Sequence, residues 1–159
     1  MHKYVGIVIV AILIGFTACR KPTNFSDDKS LKISFSTDTV TFDTVFTTIG
    51  SSTRQLMIYN SNDENLKISS IRLESGNLSQ FSINVDGQSG HKFSDIEIYA
   101  KDSIYVFVRV TINPNDLNNP FFVEDKLIFE TNDNRQIVNL TAYGQNANYI
   151  VADQYINGF

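Results

Sequence analysis

Residues 103–112 read Ser-Ile-Tyr-Val-Phe-Val-Arg-Val-Thr-Ile, and this stretch decides the fold class. Every second residue from Ile104 to Ile112 is a branched aliphatic, while Tyr105, Phe107 and Arg109 stand between them. A repeat of two is that of a β-strand, whose side chains point alternately to the two faces of a sheet. Because the aliphatic face is continuous over five positions, the stretch predicts a strand at the centre of a sheet.

Shorter segments with the same alternation lie on both sides of this strand, separated by polar turns. Residues 123–131 and 135–144 meet through Asn132-Asp133-Asn134 and predict a β-hairpin. In residues 66–73 the apolar spacing slips at Ser69-Ser70, which indicates a β-bulge. Residues 113–120 contain two prolines and predict a loop. The other predicted strands are marked by Leu31, Ile33, Phe35, Val40, Phe42, Leu56, Ile58, Phe81, Ile83, Val85, Ile96 and Ile98.

No stretch shows sustained helical spacing, so the sequence predicts an all-β domain of about seven strands. Seven short strands at regular spacing fit an immunoglobulin-like sandwich of two antiparallel sheets. The 159 residues allow one domain of this kind. The chain has no Trp and one Cys, which excludes an antibody-type domain with its disulfide.

The first residues have the three zones of a signal peptide. Lys3 supplies a positive charge, residues 5–16 are almost entirely apolar, and two small residues follow. Twelve apolar residues make a helix of about 18 Å, which is too short for a bilayer core of about 30 Å. The alternative is an ordinary secretory leader in which the following cysteine is a coincidence.

The end of the leader, Phe16-Thr17-Ala18-Cys19, resembles the lipobox of bacterial lipoproteins, although Leu is commoner than Phe at its first position. The resemblance implies cleavage between Ala18 and Cys19, a diacylglycerol thioether on Cys19, and acylation of the new amino terminus. Two or three acyl chains hold a protein firmly in a membrane. We therefore expect a lipid anchor in the cell envelope, in the outer membrane of a Gram-negative bacterium, facing the periplasm.

These observations divide the chain into four parts. Residues 1–18 are the signal-peptide helix, 19–30 are the lipidated cysteine and a flexible polar tether, and 31–145 are the sandwich. The apolar segment 146–159 either adds a strand to the sandwich or begins a further domain of a longer protein.

The strand motifs also resemble a known class of immunoglobulin-like domain. Residues 40–45 (Val-Thr-Phe-Asp-Thr-Val), 55–61 (Gln-Leu-Met-Ile-Tyr-Asn-Ser), 66–68 (Leu-Lys-Ile) and 138–144 (Val-Asn-Leu-Thr-Ala-Tyr-Gly) resemble the abnormal-spindle/Hydin class, relatives of major sperm protein. The class pattern has a small residue and Gly after the position of Phe42, where this chain has Asp43. The resemblance implies a binding or spacer module that is not an enzyme.

Charge and cysteine content exclude several other functions. The net charge is -4, and loss of the leader removes Lys3 but no acid, so a nucleic-acid partner is not expected. One Cys and two His leave no cysteine zinc site, and lipidation would occupy the thiol. His91 is the only histidine after the leader, so no Ser-His-Asp set can form. We expect no cofactor and no metal.

Two other groups of candidate site residues have a simpler explanation in local structure or chance. Asn and Asp cluster in residues 60–65, 113–119 and 132–134, but without the spacing of a calcium loop, so turn chemistry explains them. Thr39, Thr44 and Ser103 each follow Asp and precede an apolar residue, the pattern of O-glycosylation acceptors in some bacterial envelope proteins, and chance also produces it in Thr-rich strands.

Five aromatic residues form a binding face if they point outward, or else cover a sheet against a partner domain. They are Tyr99, Tyr105, Phe107, Phe121 and Phe122. The leading hypothesis is therefore a membrane-anchored module that binds an unknown protein or glycan, or spaces a following domain. The alternatives are a fimbrial-type subunit assembled by strand exchange and an accessory domain of a longer carbohydrate-active protein.

Overall fold

The structure is a computed structural model, and it describes residues 24–46, 51, 53–112 and 122–145. Within these ranges the only helical element is a 3-10 turn at Gly76–Leu78, and no helix is long and apolar enough to span a membrane. The strands are β1 (Ser34–Phe35), β2 (Thr39–Phe46), β3 (Arg54–Tyr59), β4 (Leu66–Leu73), β5 (Phe81–Val85), β6 (Gln88–Gly90), β7 (Lys92–Phe93), β8 (Ile96–Ile98), β9 (Ser103–Val110), β10 (Phe122–Thr131) and β11 (Asn134–Gln145).

The strands form two sheets that enclose one core, so the predicted immunoglobulin-like sandwich is confirmed. One sheet has the order β1-β3-β9-β5-β6, and the other has the order β2-β11-β10-β4-β7, with β8 also on β4. Seven strands have five or more residues, which matches the expected number, and the four short strands β1, β6, β7 and β8 are additional. β9 lies in the middle of its sheet, as predicted.

One pair departs from the expected antiparallel arrangement, because β2 runs parallel to β11. β1 pairs with β3 in one sheet, whereas β2, only three residues later, belongs to the other sheet. The chain crosses between the sheets at residues 36–38, so its first extended stretch is divided between them. After this crossing β2 enters its sheet alongside β11 and in the same direction.

The core follows from the alternation that the sequence shows. Val106, Val108 and Val110 of β9 are fully buried, while Tyr105 and Phe107 are 44% and 40% exposed. The opposite sheet contributes fully buried residues of β4, β10 and β11 to the same cluster. Burial of each such side chain stabilises the fold by about 1.5–3 kcal/mol.

The predicted bulge and hairpin are both confirmed. Ser70 lies opposite Glu130 and Ile68 lies opposite Thr131, which leaves Ser69 of β4 without a partner in the ladder. β10 and β11 are joined by Asn132 and Asp133, both with positive φ, as a two-residue type I′ turn requires. Asn134 already belongs to β11, so the turn is one residue shorter than the sequence indicated.

Residues 24–30, which their polar composition assigned to the tether, lie against the sandwich in the structure. Phe25 forms a parallel bridge with Asn65, and the Ser26 N–H donates to the Asn65 carbonyl at 2.9 Å. The Phe25 ring lies 6.1 Å from that of Tyr99, and the Lys67 ammonium lies 5.0 Å from its centroid. One aromatic side chain and several backbone groups therefore fasten an otherwise polar segment.

We call residues 24–30 the strap. Its carboxyl-terminal end contacts the β10–β11 turn. The Asn132 and Asn134 amides donate to the Asp28 and Lys29 carbonyls, each at 2.8 Å. The Lys29 ammonium pairs with the Asp133 carboxylate at 2.7 Å. The hydrogen bond between them, and then the opposite charge of each partner, raise the pKa of Lys29 and lower the pKa of Asp133. The strap thus joins two turns at one end of the sandwich.

Asn60 is a fully buried polar side chain whose amide is completely used. Its Nδ2 donates to the carbonyls of Glu64 at 2.8 Å, Ile98 at 3.2 Å and Tyr99 at 3.0 Å. Its Oδ1 accepts from the backbone and side-chain amides of Asn62, at 3.1 and 2.9 Å. One side chain therefore holds the β3–β4 turn to the segment in which the chain passes from β8 to β9.

We expect Asn60→Ala to destabilise the protein by about 3 kcal/mol, because it leaves buried carbonyl groups without donors. Urea denaturation of the full chain measures this change. Asn77→Ala removes an exposed amide and serves as the control, with an expected change within about 0.5 kcal/mol. Equal midpoints for the two variants would contradict the role assigned to Asn60.

Phe25→Ala should release the strap without unfolding the sandwich. Loss of the ring contacts with Tyr99 and Lys67 lowers the free energy of local opening of the strap by about 1–2 kcal/mol. The exchange rate of the Ser26 amide therefore rises by about 5- to 30-fold. Hydrogen–deuterium exchange measures this rate, and amides of β9 provide the internal control because they should be unchanged. Unchanged protection of Ser26 would show that the Phe25 ring does not hold the strap in place.

A candidate binding cleft

A cleft of about 720 Å³ opens beside the first half of β9. One wall is the turn after β5, formed by Asp86 and Gly87, and the other is residues 95–97 at β8. Ile96 of the second wall and Ile104 of β9 also line the cleft, and both are half-buried and packed against the core. The cleft thus combines an apolar base with walls that come from both sheets.

Three aromatic side chains line this cleft. Tyr105 and Phe107 occupy outward positions of β9, and their rings stack with centroids 6.3 Å apart and planes inclined by 22°. Tyr99 lines the cleft from the segment between β8 and β9, and its hydroxyl lies 3.5 Å from Glu97 Oε2. Of the five aromatics considered above, these three are brought together.

The remaining two aromatics do not join them. Phe122 lies on β10 in the other sheet, where it contacts Tyr143 with ring centroids 5.2 Å apart. Phe121 lies outside the described residues. The sequence could not separate these groups, because outward aromatics on different sheets have the same local pattern.

Four carboxylates surround the aromatic residues, and no Lys or Arg is among the residues that line the cleft. They are Asp86, Asp95, Glu97 and Asp102. Six ion pairs join other charged residues in the described ranges, and none of the four takes part in them. Asp102 Oδ1 accepts from the Ser103 N–H at 2.7 Å. Lys67 lies opposite Glu97 in the β4–β8 ladder, and its ammonium lies over the Phe25 ring. The residues that line the cleft are therefore acidic, and none of their carboxylates forms an ion pair within the described residues.

The local backbone explains the position of the first carboxylate. Asp86 and Gly87 have φ values of 51° and 80°, so they form a tight turn that ends β5 and begins β6. Asp-Gly is a favoured pair for such a turn because both residues accept positive φ. The turn directs the chain away from β9 and leaves the cleft open.

The candidate modification sites differ in exposure. Thr44 is exposed on β2, whereas Thr39 and Ser103 are half-buried at the starts of β2 and β9. O-glycosylation at these residues stays a prediction. Ala18 and Cys19, the predicted cleavage and lipidation positions, lie outside the described residues.

The Asn-rich turns use their side chains for local hydrogen bonds, as turn chemistry requires. Asn60 and Asn62 bond each other and the backbone, while Asn132 and Asn134 hold the strap. Residues 113–119 lie outside the described ranges, and the described ranges contain no group of three His, Cys, Asp or Glu residues placed to hold a metal ion. His91 is half-buried, and its carbonyl accepts from the Leu73 N–H at 3.0 Å.

No family model matches the chain, and no curated protein matches it. Several solved structures are similar in fold. A protein of unknown function from Porphyromonas gingivalis W83 aligns with 72% of the chain at 13% identity and a TM-score of 0.49. A family 123 glycoside hydrolase from Clostridium perfringens aligns with 74% of it at 8% identity and a TM-score of 0.50.

An ASH/PapD-like domain of human CEP192 aligns with 84% of the chain at 11% identity and a TM-score of 0.47, and 97% of that domain is covered. The chain spans 48% of the Porphyromonas protein and 28% of the glycoside hydrolase. Likeness at these identities concerns the fold alone. The chain is an immunoglobulin-like β-sandwich with an acidic, aromatic cleft beside its central strand.

Proposed function

We propose that this chain is a lipid-anchored protein of the bacterial cell envelope and that it acts as a non-enzymatic binding module through the cleft beside β9. The observation that carries the proposal is the exposed stack of Tyr105 and Phe107 next to four carboxylates that form no ion pair with any residue that the structure describes. Aromatic side chains that remain exposed at a concave surface are the usual anchors of binding sites.

Binding explains the cleft better than catalysis does. All four carboxylates are exposed, whereas general acid–base catalysis needs a carboxyl group whose protonation is tuned by burial or by a close partner. Exposed carboxylates are well suited to attract and orient a ligand instead.

The strap supports binding close to the membrane more than a spacer role. If Cys19 carries the lipid, only six residue steps separate it from Phe25, a span of at most about 20 Å. Phe25 contacts Tyr99, which itself lines the cleft. The cleft of the proposed lipoprotein therefore lies near the membrane surface, which we propose is the periplasmic face of the outer membrane.

Strand exchange is the second candidate function, and one observation favours it. β2 is an edge strand of eight residues, paired on one side with β11 and rich in Thr. Among the described residues, no strand pairs with the edge of β2 that faces away from β11 over residues 39–45, and such an edge is able to accept a strand from another chain. Size-exclusion chromatography separates the candidates, because strand exchange produces polymers and the binding module is expected to be a monomer.

Cys19→Ser should abolish lipid attachment and move the protein from the membrane to the soluble fraction. The reason is that the thioether needs the cysteine sulfur, and two or three acyl chains supply firm anchoring. Metabolic labelling with palmitate and detergent phase partitioning measure the two effects. A labelled, membrane-bound Cys19→Ser variant would exclude the proposed anchor.

A photo-reactive benzoylphenylalanine placed at Tyr105 should cross-link the ligand of the cleft in living cells, giving a discrete larger species. The same group placed at Phe122, which is 39% exposed on the other sheet, is the control and should give no such species. Identical products from both positions, or none from Tyr105, would remove support for the cleft as a binding surface.

A further inference from the structure

The first half of β9 has a free edge that faces the cleft. β9 pairs with β3 over Arg54–Tyr59, and its last residues pair with β5 from Val85 opposite Val106 to Phe81 opposite Val110. β5 ends at Val85, so within the described part of the chain residues 103–105 of β9 have a neighbouring strand on the β3 side only. The position that β5 would occupy next to these residues is the cleft itself.

The hydrogen-bond alternation of the ladder identifies the backbone groups that point into this vacant position. The Asn60 N–H donates to the Asp102 carbonyl at 2.9 Å, so even-numbered residues of β9 direct their backbone groups to β3. The Thr111 N–H donates to the Gln80 carbonyl at 2.9 Å, so odd-numbered residues direct theirs to β5. The N–H and C=O of Tyr105 and the C=O of Ser103 therefore face the cleft without a strand partner among the described residues.

We propose that the cleft binds an extended, positively charged polypeptide segment, which continues the sheet by adding a short strand beside Ser103 and Tyr105 of β9. The inference rests on the proposed binding function and names the chemical class of the partner. Backbone groups supply hydrogen bonds to the segment, as in other cases of strand addition. The four carboxylates supply the charge complementarity, because the residues that line the cleft include no cation and none of the four forms an ion pair within the described residues.

The side chains of the added strand should alternate in character. A residue opposite Tyr105 shares its outward face, where Tyr105 and Phe107 offer aromatic rings to a Lys or Arg side chain. A residue opposite Ile104 faces inward, toward Ile104 and Ile96. A segment in which Lys or Arg alternates with an aliphatic residue therefore fits the cleft, whereas a neutral glycan would leave the carboxylates without a counter-charge.

The test uses the full lipidated chain in detergent and a fluorescein-labelled octapeptide in which Lys alternates with Val. Fluorescence anisotropy should show saturable binding with a Kd below about 1 mM. The double variant Asp86→Asn/Glu97→Gln should weaken binding by about tenfold, and so should a rise in salt that screens the exposed charges. Glu64→Gln/Glu124→Gln removes two exposed charges outside the cleft, and it should leave the Kd unchanged within about twofold.

A second peptide tests strand addition separately from charge. Methylation of the backbone nitrogen of each Lys keeps the side-chain charges but removes the N–H donors that would face Ser103 and Tyr105. We expect this change to abolish binding. Equal affinity of the methylated peptide, or equal affinity of both double variants, would overturn the inference. So would binding of a neutral hexasaccharide in place of the Lys-Val peptide.

The cross-linking experiment at Tyr105 distinguishes this inference from the proposed function. A discrete adduct at Tyr105 in cells, together with failure of the peptide to bind, would leave the binding module intact and refute the cationic segment. Loss of the adduct in the Asp86→Asn/Glu97→Gln variant, with retention in Glu64→Gln/Glu124→Gln, would extend the inference to the natural partner.

Discussion

The buried amide of Asn60 fixes the register on which the rest of the structure depends. The Asn60 side chain binds the carbonyls of Ile98 and Tyr99, and its backbone N–H binds that of Asp102. These bonds set the residue at which the chain enters β9. A shift of one residue would exchange the two faces of β9, because side chains alternate along a strand. Val106 would then face solvent and Tyr105 would enter the core, so the core and the cleft depend on the same contact.

Asn65, at the other end of the β3–β4 turn, connects the strap to the same region. Its Nδ2 donates to the Asn24 carbonyl at 3.0 Å, and its Oδ1 accepts from the Ala100 N–H at 3.0 Å. The Asn65 side chain therefore connects the strap to the segment between β8 and β9. Tyr99 belongs to that segment, contacts Phe25 and lines the cleft. The strap and the wall of the cleft consequently form one continuous contact region.

The sequence predicted those features that depend on local periodicity. β9, the bulge at Ser69 and the β10–β11 hairpin were predicted because each leaves a mark within ten residues. β6, β7 and β8 have two or three residues each, which is too short for a clear periodic pattern. Ile96 and Ile98 predicted β8, but β6 and β7 were not predicted, because their strand character comes from pairing with β5 and β4. Asp125 is similar. The spacing from Val123 to Leu127 places it inward, but its hydrogen bonds to Ser75 and Ser79 depend on the tertiary structure.

The cleft could be predicted only in part, for the same reason. Outward Tyr105 and Phe107 follow from the period of β9, whereas the four carboxylates come from the β5–β6 turn, from β8 and its preceding residue, and from the loop before β9. The free edge depends on where β5 ends, and this is set by the Asp86–Gly87 turn. An Asp-Gly pair predicts a tight turn, but it does not predict that a neighbouring strand continues beyond it.

A short strand-addition site is suited to a protein held at a membrane. Two or three backbone hydrogen bonds and exposed charge pairs provide modest affinity, since each contributes about 1 kcal/mol or less at a solvated surface. If Cys19 is lipidated, a partner in the same membrane is confined with the cleft to a layer about 20 Å deep above the bilayer. Confinement raises the effective concentration of the partner, so modest affinity is sufficient for occupancy. The same weakness allows the segment to leave, which a deep, fully buried site would prevent.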